Sequence, residues 1–321
     1  MPDPLPSVTI IIPARPTDTG IRALAGVRAL DYPQDRIQVL LARGKQPSVQ
    51  RNLALLQATG ELVYFLDDDS VAFPDALRRA AAQFQDSKVV MVGGPNLCPP
   101  EAPPLEQAFA RTMATLLAFG PSRARYWPVG VVRDSSEKEL ILCNLIARRQ
   151  PVVELGGFDE SLYPNEENAL MDELQKRGGK LVYDPDVRVL RRPRPHLKAF
   201  IGMLLNYGRG RAEQFRLHPS SGSILNFVPP AFVVYLLVFL VLPPLLRWPI
   251  GFYALLVLAQ AFAVTMDRPS LAWRVAPLVV LTHLVYGLGF WRGLFTKPQQ
   301  RPKPSAEDIR IETVRLTSDG N

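Results

Sequence analysis

The chain contains few cysteines: only Cys98 and Cys143 among 321 residues. Two thiols cannot form the disulfide framework of a small secreted domain, and they are too few for a zinc site built from cysteines. The N-terminal stretch also lacks the basic region that opens a secretory signal, and its first apolar run has the length of a strand. We therefore expect two ordinary reduced thiols in a chain whose front part stays in the cytoplasm.

Acidic residues are scarce between residues 188 and 216. This stretch contains one acid, Glu213, and eight basic side chains. The eight are Arg188, Arg191, Arg192, Arg194, Lys198, Arg209, Arg211 and Arg216. This positive excess equals the formal net charge of the whole chain, +7. A basic cluster directly before an apolar region is typical of the anionic cytoplasmic face of a membrane. Such a patch also suits nucleic acid, but the neighbouring apolar segments argue against that partner.

Hydrophobic residues make up 47% of the chain, and the longest apolar runs lie near its end. These runs occupy residues 224–246, 250–266 and 271–291. The first and third are long enough to span a bilayer, whereas the second is marginal, because spanning takes about 17–25 residues. In front of them, residues 196–222 mix apolar side chains with arginines, which predicts an amphipathic helix in the membrane interface.

The orientation of the C-terminal tail is ambiguous. With the front part in the cytoplasm, three crossings would place the tail outside. The tail nevertheless begins with basic residues and no early acid, which favours the inside; they are Arg292, Lys297, Arg301 and Lys303. Either one apolar segment is re-entrant or the charge rule fails, so the number of crossings stays open at this point.

Short apolar runs alternate with helical stretches in the first 190 residues. The runs are VTIIIPAR (8–15), IQVLLA (37–42), LVYFLDDD (62–69) and KVVMVGG (88–94). Continuous apolar strands between helices predict an α/β fold with a mostly parallel sheet covered on both faces. Ligands of such sheets bind at the carboxyl ends of the strands. Arg15 and the acids Asp67, Asp68 and Asp69 are therefore expected at the ligand-binding edge.

Three consecutive carboxylates at the end of a strand repel one another and require an explanation. Mg²⁺ and Mn²⁺ take oxygen ligands, often one or two carboxylates together with the phosphates of a substrate. Alternatively the acids only favour the positive end of the helix that follows Pro74, at about 0.3–1 kcal/mol each. The strand before the acids and Pro74 after them favour a divalent-cation site.

The order of several motifs resembles a known family. VTIIIPAR, SVQRNLAL, ELVYFLDDDSVAFPDAL, GGFDE and NEENALMDELQKRGGKLVYDPDV are similar, in this order, to motifs of the family 2 glycosyltransferases of GT-A fold. The resemblance covers residues 7–190. NYGRGRAEQFRLHP, before the apolar region, looks like the membrane-bound branch that includes succinoglycan-type polysaccharide synthases. The resemblance implies a mixed, mostly parallel sheet flanked by helices and followed by α-helical membrane segments.

The same resemblance implies an activity. The chain would be a metal-dependent, inverting glycosyltransferase that moves a sugar from a nucleotide-sugar donor to a membrane-associated acceptor, a polysaccharide or a lipid-linked sugar. A divalent cation, Mg²⁺ or Mn²⁺, would be the cofactor, and membrane lipids the surroundings. Polyprenyl-phosphate sugar transfer is the alternative within the enzyme class. A non-catalytic membrane scaffold with a decayed transferase domain is the alternative outside it.

Matched motif positions imply the metal and donor contacts. Asp67 and Asp69 would hold the metal, with Asp67 nearer the ribose of the donor and Asp68 at the variable middle position on the donor side. Pro13 and Arg15 would meet the nucleobase where the first strand ends.

Arg51 and Asn52 match an arginine–asparagine pair at the start of the second helix, close to the donor. After the second strand, however, the family usually carries an acid that binds the base or ribose, and this chain has Ala42, Arg43 and Gly44 there. The donor therefore need not be a UDP-sugar.

The general base is expected at the head of the helix that ends at Gly178. Family members usually carry Glu-Asp there, whereas this chain has Glu166 and Glu167. Glu167 is the candidate base, with Glu166 and Asp172 as alternates. In the alternative interpretation Asn165 caps the helix, and both glutamates merely favour its positive end.

Arg209 and Arg211, before the apolar region, suit a phosphate of a lipid-linked acceptor or of the donor, because arginine binds phosphate in a bidentate way. Simple attraction to lipid headgroups is the alternative. The sequence thus predicts four parts in an integral membrane protein of the bacterial inner membrane type. They are a cytoplasmic catalytic domain (1–195), an interfacial helix (196–222), two or three transmembrane helices (223–292) and a polar, flexible tail (293–321).

Overall fold

The computed structural model describes residues 5–162, 166–217, 226–296 and 309–316. The chain divides into two compact units. The first consists of Met1–Leu97, Ala124–Arg191 and Arg301–Asn321, and the second of Cys98–Arg123 and Arg192–Gln300. Residues 98–123, which the sequence places in the catalytic domain, therefore belong to the second unit.

The described strands and helices follow in chain order. The strands are β1 (Val8–Ala14), β2 (Ile37–Arg43), β3 (Leu62–Leu66), β4 (Val71–Ala72), β5 (Val89–Gly93), β6 (Asn96–Leu97), β7 (Arg133–Asp134), β8 (Asn144–Arg148), β9 (Lys180–Tyr183), β10 (Val189–Leu190) and β11 (Arg310–Val314). The helices are α1 (Ala23–Arg28), α2 (Pro47–Gln57), α3 (Ala76–Gln83), α4 (Pro104–Met113), α5 (Leu116–Phe119), α6 (Arg149–Glu154), α7 (Glu166–Lys176), α8 (Leu197–Leu217), α9 (Val228–Val238), α10 (Trp248–Ala263) and α11 (Ala272–Phe295).

The first unit is built on an eight-stranded sheet in the order β11-β2-β1-β3-β8-β5-β9-β7. β1 runs parallel to β2 and β3, and β5 parallel to β9. β8, β7 and β11 are antiparallel to their neighbours. A second sheet has three strands in the order β4-β10-β6, and its strand β4 is the next strand after β3 in the sequence. The predicted mixed α/β sheet flanked by helices is confirmed, and its antiparallel strands add to what the sequence indicated.

The apolar runs become strands because both faces of the sheet are covered. Along β1, Ile10 and Ile12 contribute to the core on one face, and Ile11 contributes to the core on the other. Tyr64 and Phe65 of β3 divide between the faces in the same way. Successive side chains of a strand point to opposite faces, so a strand buried on both sides needs an unbroken apolar run.

The C-terminal stretch contributes a strand to the first unit. β11 pairs antiparallel with β2, with Ile311 opposite Ala42 and Val314 opposite Val39. An ion pair between Arg43 Nε and Glu312 Oε2, 3.1 Å apart, joins the two strands. This part of the tail, expected to be flexible, is therefore an edge strand. The predicted basic residues Lys297, Arg301 and Lys303 lie outside the described residues.

The second unit is helical and packs around α11. A Cβ atom on Gly208 of α8 would lie 2.1 Å from the carbonyl oxygen of Tyr286, and one on Gly289 would lie 2.4 Å from that of Leu205. Only glycine fits at such distances, so α8 and α11 approach each other backbone to backbone. Close approach through small residues is typical of helix pairs in membranes.

Two described helical stretches are long and apolar enough to cross a membrane, by length and composition: Pro244–Ala263 and Pro269–Phe295. A third, Val228–Val241, is shorter. The sequence predicted a spanning run at residues 224–246, but the chain leaves the helix before Pro243, because proline cannot continue the helical hydrogen bonding. The first apolar segment is consequently the short one, and the second begins earlier than predicted.

Candidate active site

Three acids follow β3 at the carboxyl end of the central parallel strands. The amide of Ser70 donates to the carbonyl of Asp67 (3.0 Å), which turns the chain directly after the strand. The side chains of Asp67 and Asp69 are 21% and 34% exposed, so both carboxylates remain accessible. Burial raises the pKa of Asp68, and the neighbouring carboxylates of Asp69 and Asp67 raise it further. The three acids thus lie at the edge of the sheet where the sequence predicts that a ligand binds.

Two arginines bind these acids. Arg51 of α2 donates from Nη2 to Asp67 Oδ1 at 2.7 Å. Arg191, which follows β10, contacts Asp67 Oδ2 from Nη2 at 3.1 Å and Asp69 Oδ1 from Nε at 2.6 Å. The guanidinium of Arg191 therefore bridges the first and third acids.

Sequence reasoning placed Arg191 only in the basic cluster, not in the site. β10 has two residues and pairs with β4, whose Val71 lies opposite Leu190. Because β4 starts two residues after Asp69, this pairing brings Arg191 to the acids. Sequence alone offered one signal, the arginine-rich stretch after YDPDV, which does not distinguish Arg191 from its basic neighbours.

Glu166, at the start of α7, is linked to the acids through Arg51. Its Oε1 accepts a hydrogen bond from Ser48 Oγ (2.9 Å) and lies 3.8 Å from Arg51 Nη1. Both Arg51 and Glu166 are buried. Burial raises the pKa of Glu166, although Arg51 and Ser48 counteract this. A continuous chain of charges results: Glu166, Arg51, Asp67, Arg191 and Asp69.

Glu167 is half-buried beside Glu166. Burial and the adjacent Glu166 carboxylate raise the pKa of Glu167 to about 7, against the opposing effect of Arg125. Asp172, the further alternate, pairs with Lys176 on the exposed face of α7 (2.6 Å) and takes no part in this group. Asn165, the suggested helix cap, lies outside the described residues.

Asn52 holds a turn of the protein. Its Nδ2 donates to the carbonyl of Phe158 (2.8 Å) and to Glu160 Oε1 (3.0 Å), and its Oδ1 accepts from the amide of Phe158 (2.8 Å). Gly157, at φ +80°, must be glycine here, since a Cβ would lie 2.4 Å from Asn52 Oδ1. Asn52 was predicted to bind the donor, and its amide is engaged by the GGFDE turn that leads toward α7.

Asn52→Ala is expected to lower the free energy of unfolding by about 2 kcal/mol, because three hydrogen bonds are lost and turn groups are left unpaired. Urea denaturation of the detergent-solubilised protein measures this change. Gln57→Ala, at an exposed position of the same helix, is the control and should stay within about 0.5 kcal/mol of the wild type. Equal stability of the two variants would contradict a structural role for Asn52.

The ends of β1 and β2 form the region expected to meet the nucleobase. Pro13 is buried opposite Ala42, and Arg15 is exposed just beyond. Arg43 lies in the region 42–44, where the resemblance implied an acid: its Nη1 donates to the carbonyl of Asp18 (2.7 Å), and its Nε pairs with Glu312. Arg43, the last residue of β2, thus fastens the loop after β1 to the C-terminal strand.

A divalent cation would have to be held mainly by Asp67 and Asp69. Within the described ranges, no three His, Cys, Asp or Glu side chains converge on a point that could hold a metal ion. The two carboxylates do converge on one cationic group, the guanidinium of Arg191. Mg²⁺ is often bound by one or two carboxylates with the substrate phosphates completing the shell, and the two acids fit that kind of site.

Arg209 and Arg211 belong to the second unit, on α8. Arg209 Nε pairs with Glu213 Oε1 (2.7 Å), and Arg211 Nη1 donates to Gln214 Oε1 (3.0 Å). The structure therefore groups them with the helices of the second unit, and the acids with the sheet of the first unit.

Comparison with known sequences gives a consistent result. A family model described as glycosyltransferase like family 2 matches residues 3–203. The succinoglycan biosynthesis protein ExoA of Rhizobium meliloti (strain 1021) is 25% identical over 300 residues, 91% of this chain and 87% of that protein. The pre-mycofactocin glycosyltransferase of Mycobacterium tuberculosis (strain CDC 1551 / Oshkosh) is 25% identical over 252 residues, 72% of this chain and 52% of that protein. The chain thus spans about half the length of the second relative.

A solved structure has a similar fold. The mannosyltransferase PcManGT from Pyrobaculum calidifontis, in complex with GDP-Man and Mn²⁺, superposes with a TM-score of 0.53 at 18% identity. The match covers 92% of this chain and 88% of the mannosyltransferase. The GT-A fold that the motifs implied is confirmed.

Proposed function

The chain belongs to glycosyltransferase family 2, and from this premise we propose that it transfers a sugar, with inversion, from a nucleotide-sugar donor to a membrane-associated acceptor. The observation that carries the proposal is the charge chain from Glu166 to Asp69, which joins the head of α7 to two accessible carboxylates. A scaffold with a decayed domain would have no need to keep this network.

Asp67 and Asp69 are proposed to bind the donor through a divalent cation, Mg²⁺ or Mn²⁺. When bound, such a cation neutralises the charge that develops on the departing nucleotide diphosphate. Arg51 fixes the orientation of Asp67, because the Arg51 side chain is buried and its guanidinium also contacts Glu166. Pro13 and Arg15 are proposed to face the base.

Glu167 is proposed to be the general base. A base is most effective when its pKa lies near the working pH, and the raised pKa of about 7 meets that condition. Deprotonated Glu167 takes the proton of the acceptor hydroxyl as the oxygen attacks the anomeric carbon. The bond to the diphosphate breaks on the opposite side, so a single displacement inverts the centre. No second carboxylate nucleophile is needed.

The proposed acceptor is a growing polysaccharide or a lipid-linked sugar. The relative from Rhizobium meliloti is named for succinoglycan biosynthesis, and the apolar helices of the second unit suit an acceptor held at a membrane. Arg209 and Arg211 are proposed to bind a phosphate of that acceptor or of the donor.

The deciding experiment incubates membranes that contain the protein with a panel of labelled nucleotide sugars, with Mn²⁺ and with chelator. Release of nucleoside diphosphate that depends on one donor and on the cation supports the proposal. Label in a short organic-soluble lipid phosphate identifies polyprenyl-phosphate transfer instead. Absence of release with every donor, together with unchanged cellular glycoconjugates in an Asp69→Ala strain, favours the scaffold.

The catalytic unit is proposed to lie in the cytoplasm, and the C-terminus with it. β1 and β11 belong to one sheet, so the chain between them must enter and leave the membrane on the same side. α4 and α5 lie between segments of the first unit in the chain and are too short to span, so they share that side.

α11 is proposed not to cross, despite its length. Arg111 of α4 binds Asp267 (2.5 Å) and the carbonyl of Val264 (2.8 Å) just before α11. Farther along α11, His283 Nε2 hydrogen-bonds the carbonyl of Leu117 (2.9 Å). These contacts hold α11 against α4 and α5.

The hairpin of Val228–Val241 and Pro244–Ala263 is the proposed membrane anchor. Its turn exposes large apolar side chains, with Val241 81% and Leu245 79% exposed. Two carbonyls of the turn are satisfied internally: Arg247 donates to those of Leu240 and Leu242, both at 2.8 Å. Internally satisfied backbone is what a turn in lipid requires.

Met266→Cys, placed in a Cys98→Ser, Cys143→Ala background, is expected to resist a membrane-impermeant maleimide in intact cells and to react after permeabilisation. Met266 is 80% exposed and lies in the link before α11, so no contact within the protein shields it from the reagent. Leu56→Cys, 77% exposed in the first unit, is the control for the cytoplasmic side. Labelling of position 266 in intact cells would contradict this proposal and would indicate that both α10 and α11 cross the membrane.

A further inference from the structure

Arg191 occupies the position between the two acids that a cation would share. Its Nη2 contacts Asp67 Oδ2 and its Nε contacts Asp69 Oδ1, at 3.1 and 2.6 Å. Arg51 contacts the other oxygen of Asp67, at 2.7 Å. Both oxygens of Asp67 are therefore engaged by guanidinium groups, and a divalent cation must compete with an arginine to reach it.

The two arginines differ in how firmly they are held. The side chain of Arg51 is 5% exposed and lies between Asp67 and the buried Glu166. The side chain of Arg191 is 27% exposed and reaches the acids from the residue after a two-residue strand. Moving Arg51 would leave Glu166 buried without its counter-charge, which is strongly unfavourable. Arg191 is the arginine that can leave the acids.

On the basis of the proposed function, we propose that Arg191 is an internal counter-ion of Asp67 and Asp69 that a divalent cation displaces, and that its freed guanidinium then binds the donor diphosphate. The planar fork of arginine matches phosphate as well as carboxylate. Once the donor is bound, the guanidinium is paired again, with phosphate oxygens in place of the two carboxylates. Cation and nucleotide binding would thereby be coupled in this chain.

This exchange predicts opposite effects on two binding equilibria. Without Arg191, the cation no longer competes with its guanidinium for Asp67 Oδ2 and Asp69 Oδ1, so Mn²⁺ alone binds more tightly. The diphosphate, in contrast, loses one of its partners, so nucleotide binds more weakly in the presence of Mn²⁺. A residue that only stabilised the fold would weaken both equilibria or neither.

The test titrates the detergent-solubilised full chain with Mn²⁺, followed by electron paramagnetic resonance, and then with UDP and GDP in turn at saturating Mn²⁺, followed by calorimetry. For Arg191→Met we expect about tenfold tighter Mn²⁺ binding and about tenfold weaker binding of whichever nucleotide the wild type binds, the scale of one charge-assisted hydrogen bond. Arg191→Lys keeps the charge without the fork and should fall between the wild type and Arg191→Met in both titrations.

Arg79→Met is the matched control, because it removes an exposed arginine whose partners are Asp75 and Asp186. Both of its affinities should equal those of the wild type. If Arg191→Met does not fold, the lysine variant carries the test. Mn²⁺ affinity that is unchanged or weaker in the folded variant overturns the counter-ion role, and unchanged nucleotide affinity overturns the diphosphate role. Nucleotide release from a sugar donor by the wild type upholds the proposed function in either case.

Discussion

Glu167→Gln is expected to lower kcat by about 10²–10⁴-fold, the usual contribution of a positioned general base, while nucleotide binding stays at the wild-type level. The amide has nearly the shape of the carboxyl group but cannot accept the acceptor proton. Single-turnover measurements with the donor identified in the panel separate this loss from any change in donor affinity. A variant with wild-type kcat would remove Glu167 from the mechanism.

The pH dependence of the wild type tests the same assignment. Burial and the Glu166 carboxylate raise the pKa of Glu167 to about 7, so the residue is protonated, and inactive as a base, below that pH. Activity is therefore expected to rise with pH through about 7 and then to level off. Glu167→Asp keeps the carboxylate but shortens the reach by one methylene, so it should retain the pH-dependent rise at a lower rate. Glu167→Gln should lose that rise.

Glu166→Gln distinguishes the two neighbouring glutamates. Glu166 Oε1 accepts from Ser48 and lies 3.8 Å from Arg51 Nη1, so this oxygen belongs to the network that holds Asp67. Its loss is expected to weaken donor binding, because Arg51 then holds Asp67 less firmly. If Glu166→Gln instead lowers kcat at unchanged donor affinity, and Glu167→Gln does not, Glu166 is the base.

The parts of the site that the sequence predicts are those set by local pattern. An unbroken apolar run of strand length, such as that of β3, favours a strand buried on both faces, and the residues after such a strand emerge at the sheet edge. Asp67 and Asp69 were located by this reasoning. Arg51 was implied by the resemblance to the family motif at the start of α2, a helix opened by Pro47.

The place of Arg191 in the site could not be predicted from the sequence pattern, because it depends on pairing between very short strands that are far apart in the chain. β10 has two residues, and its register with β4 decides that Arg191 rather than Arg192 reaches the acids; Arg192 instead pairs with Glu106 in the second unit. Two-residue strands carry no periodicity from which such a register could be inferred.

The C-terminal edge strand escaped prediction for a similar reason. RIETV has a single clear alternation and is surrounded by polar residues, so composition favoured a flexible tail. Its structure comes from β2, which offers an unpaired edge and Arg43 as a partner for Glu312. Consequently β11 lies in the same sheet as β1, a pairing that counts of charges and apolar runs could not indicate.

Asp69→Asn is expected to lower kcat/KM by about 10³-fold, because charge stabilisation by a bound cation is worth several kcal/mol and each 1.36 kcal/mol is a factor of ten. The amide cannot supply an anionic ligand, and Arg191 loses one of its two partners. The measurement is nucleotide release as a function of Mn²⁺ concentration. Wild-type activity should vanish with chelator and return with Mn²⁺, whereas the variant should stay inactive at every concentration.

The control for this prediction is Asp75→Asn, which makes the same substitution in the first unit, at an exposed acid paired with Arg79. It should retain the wild-type rate and Mn²⁺ dependence, because a surface pair contributes only about 0–1 kcal/mol and Asp75 lies outside the charge chain. If Asp69→Asn recovers at high Mn²⁺, the cation is held mainly by Asp67 and the donor phosphates, and Asp69 serves chiefly to hold Arg191. A variant that matches the wild type at all concentrations, with chelator also without effect, would exclude a cation between these acids and would leave Arg191 as the permanent positive charge of the site.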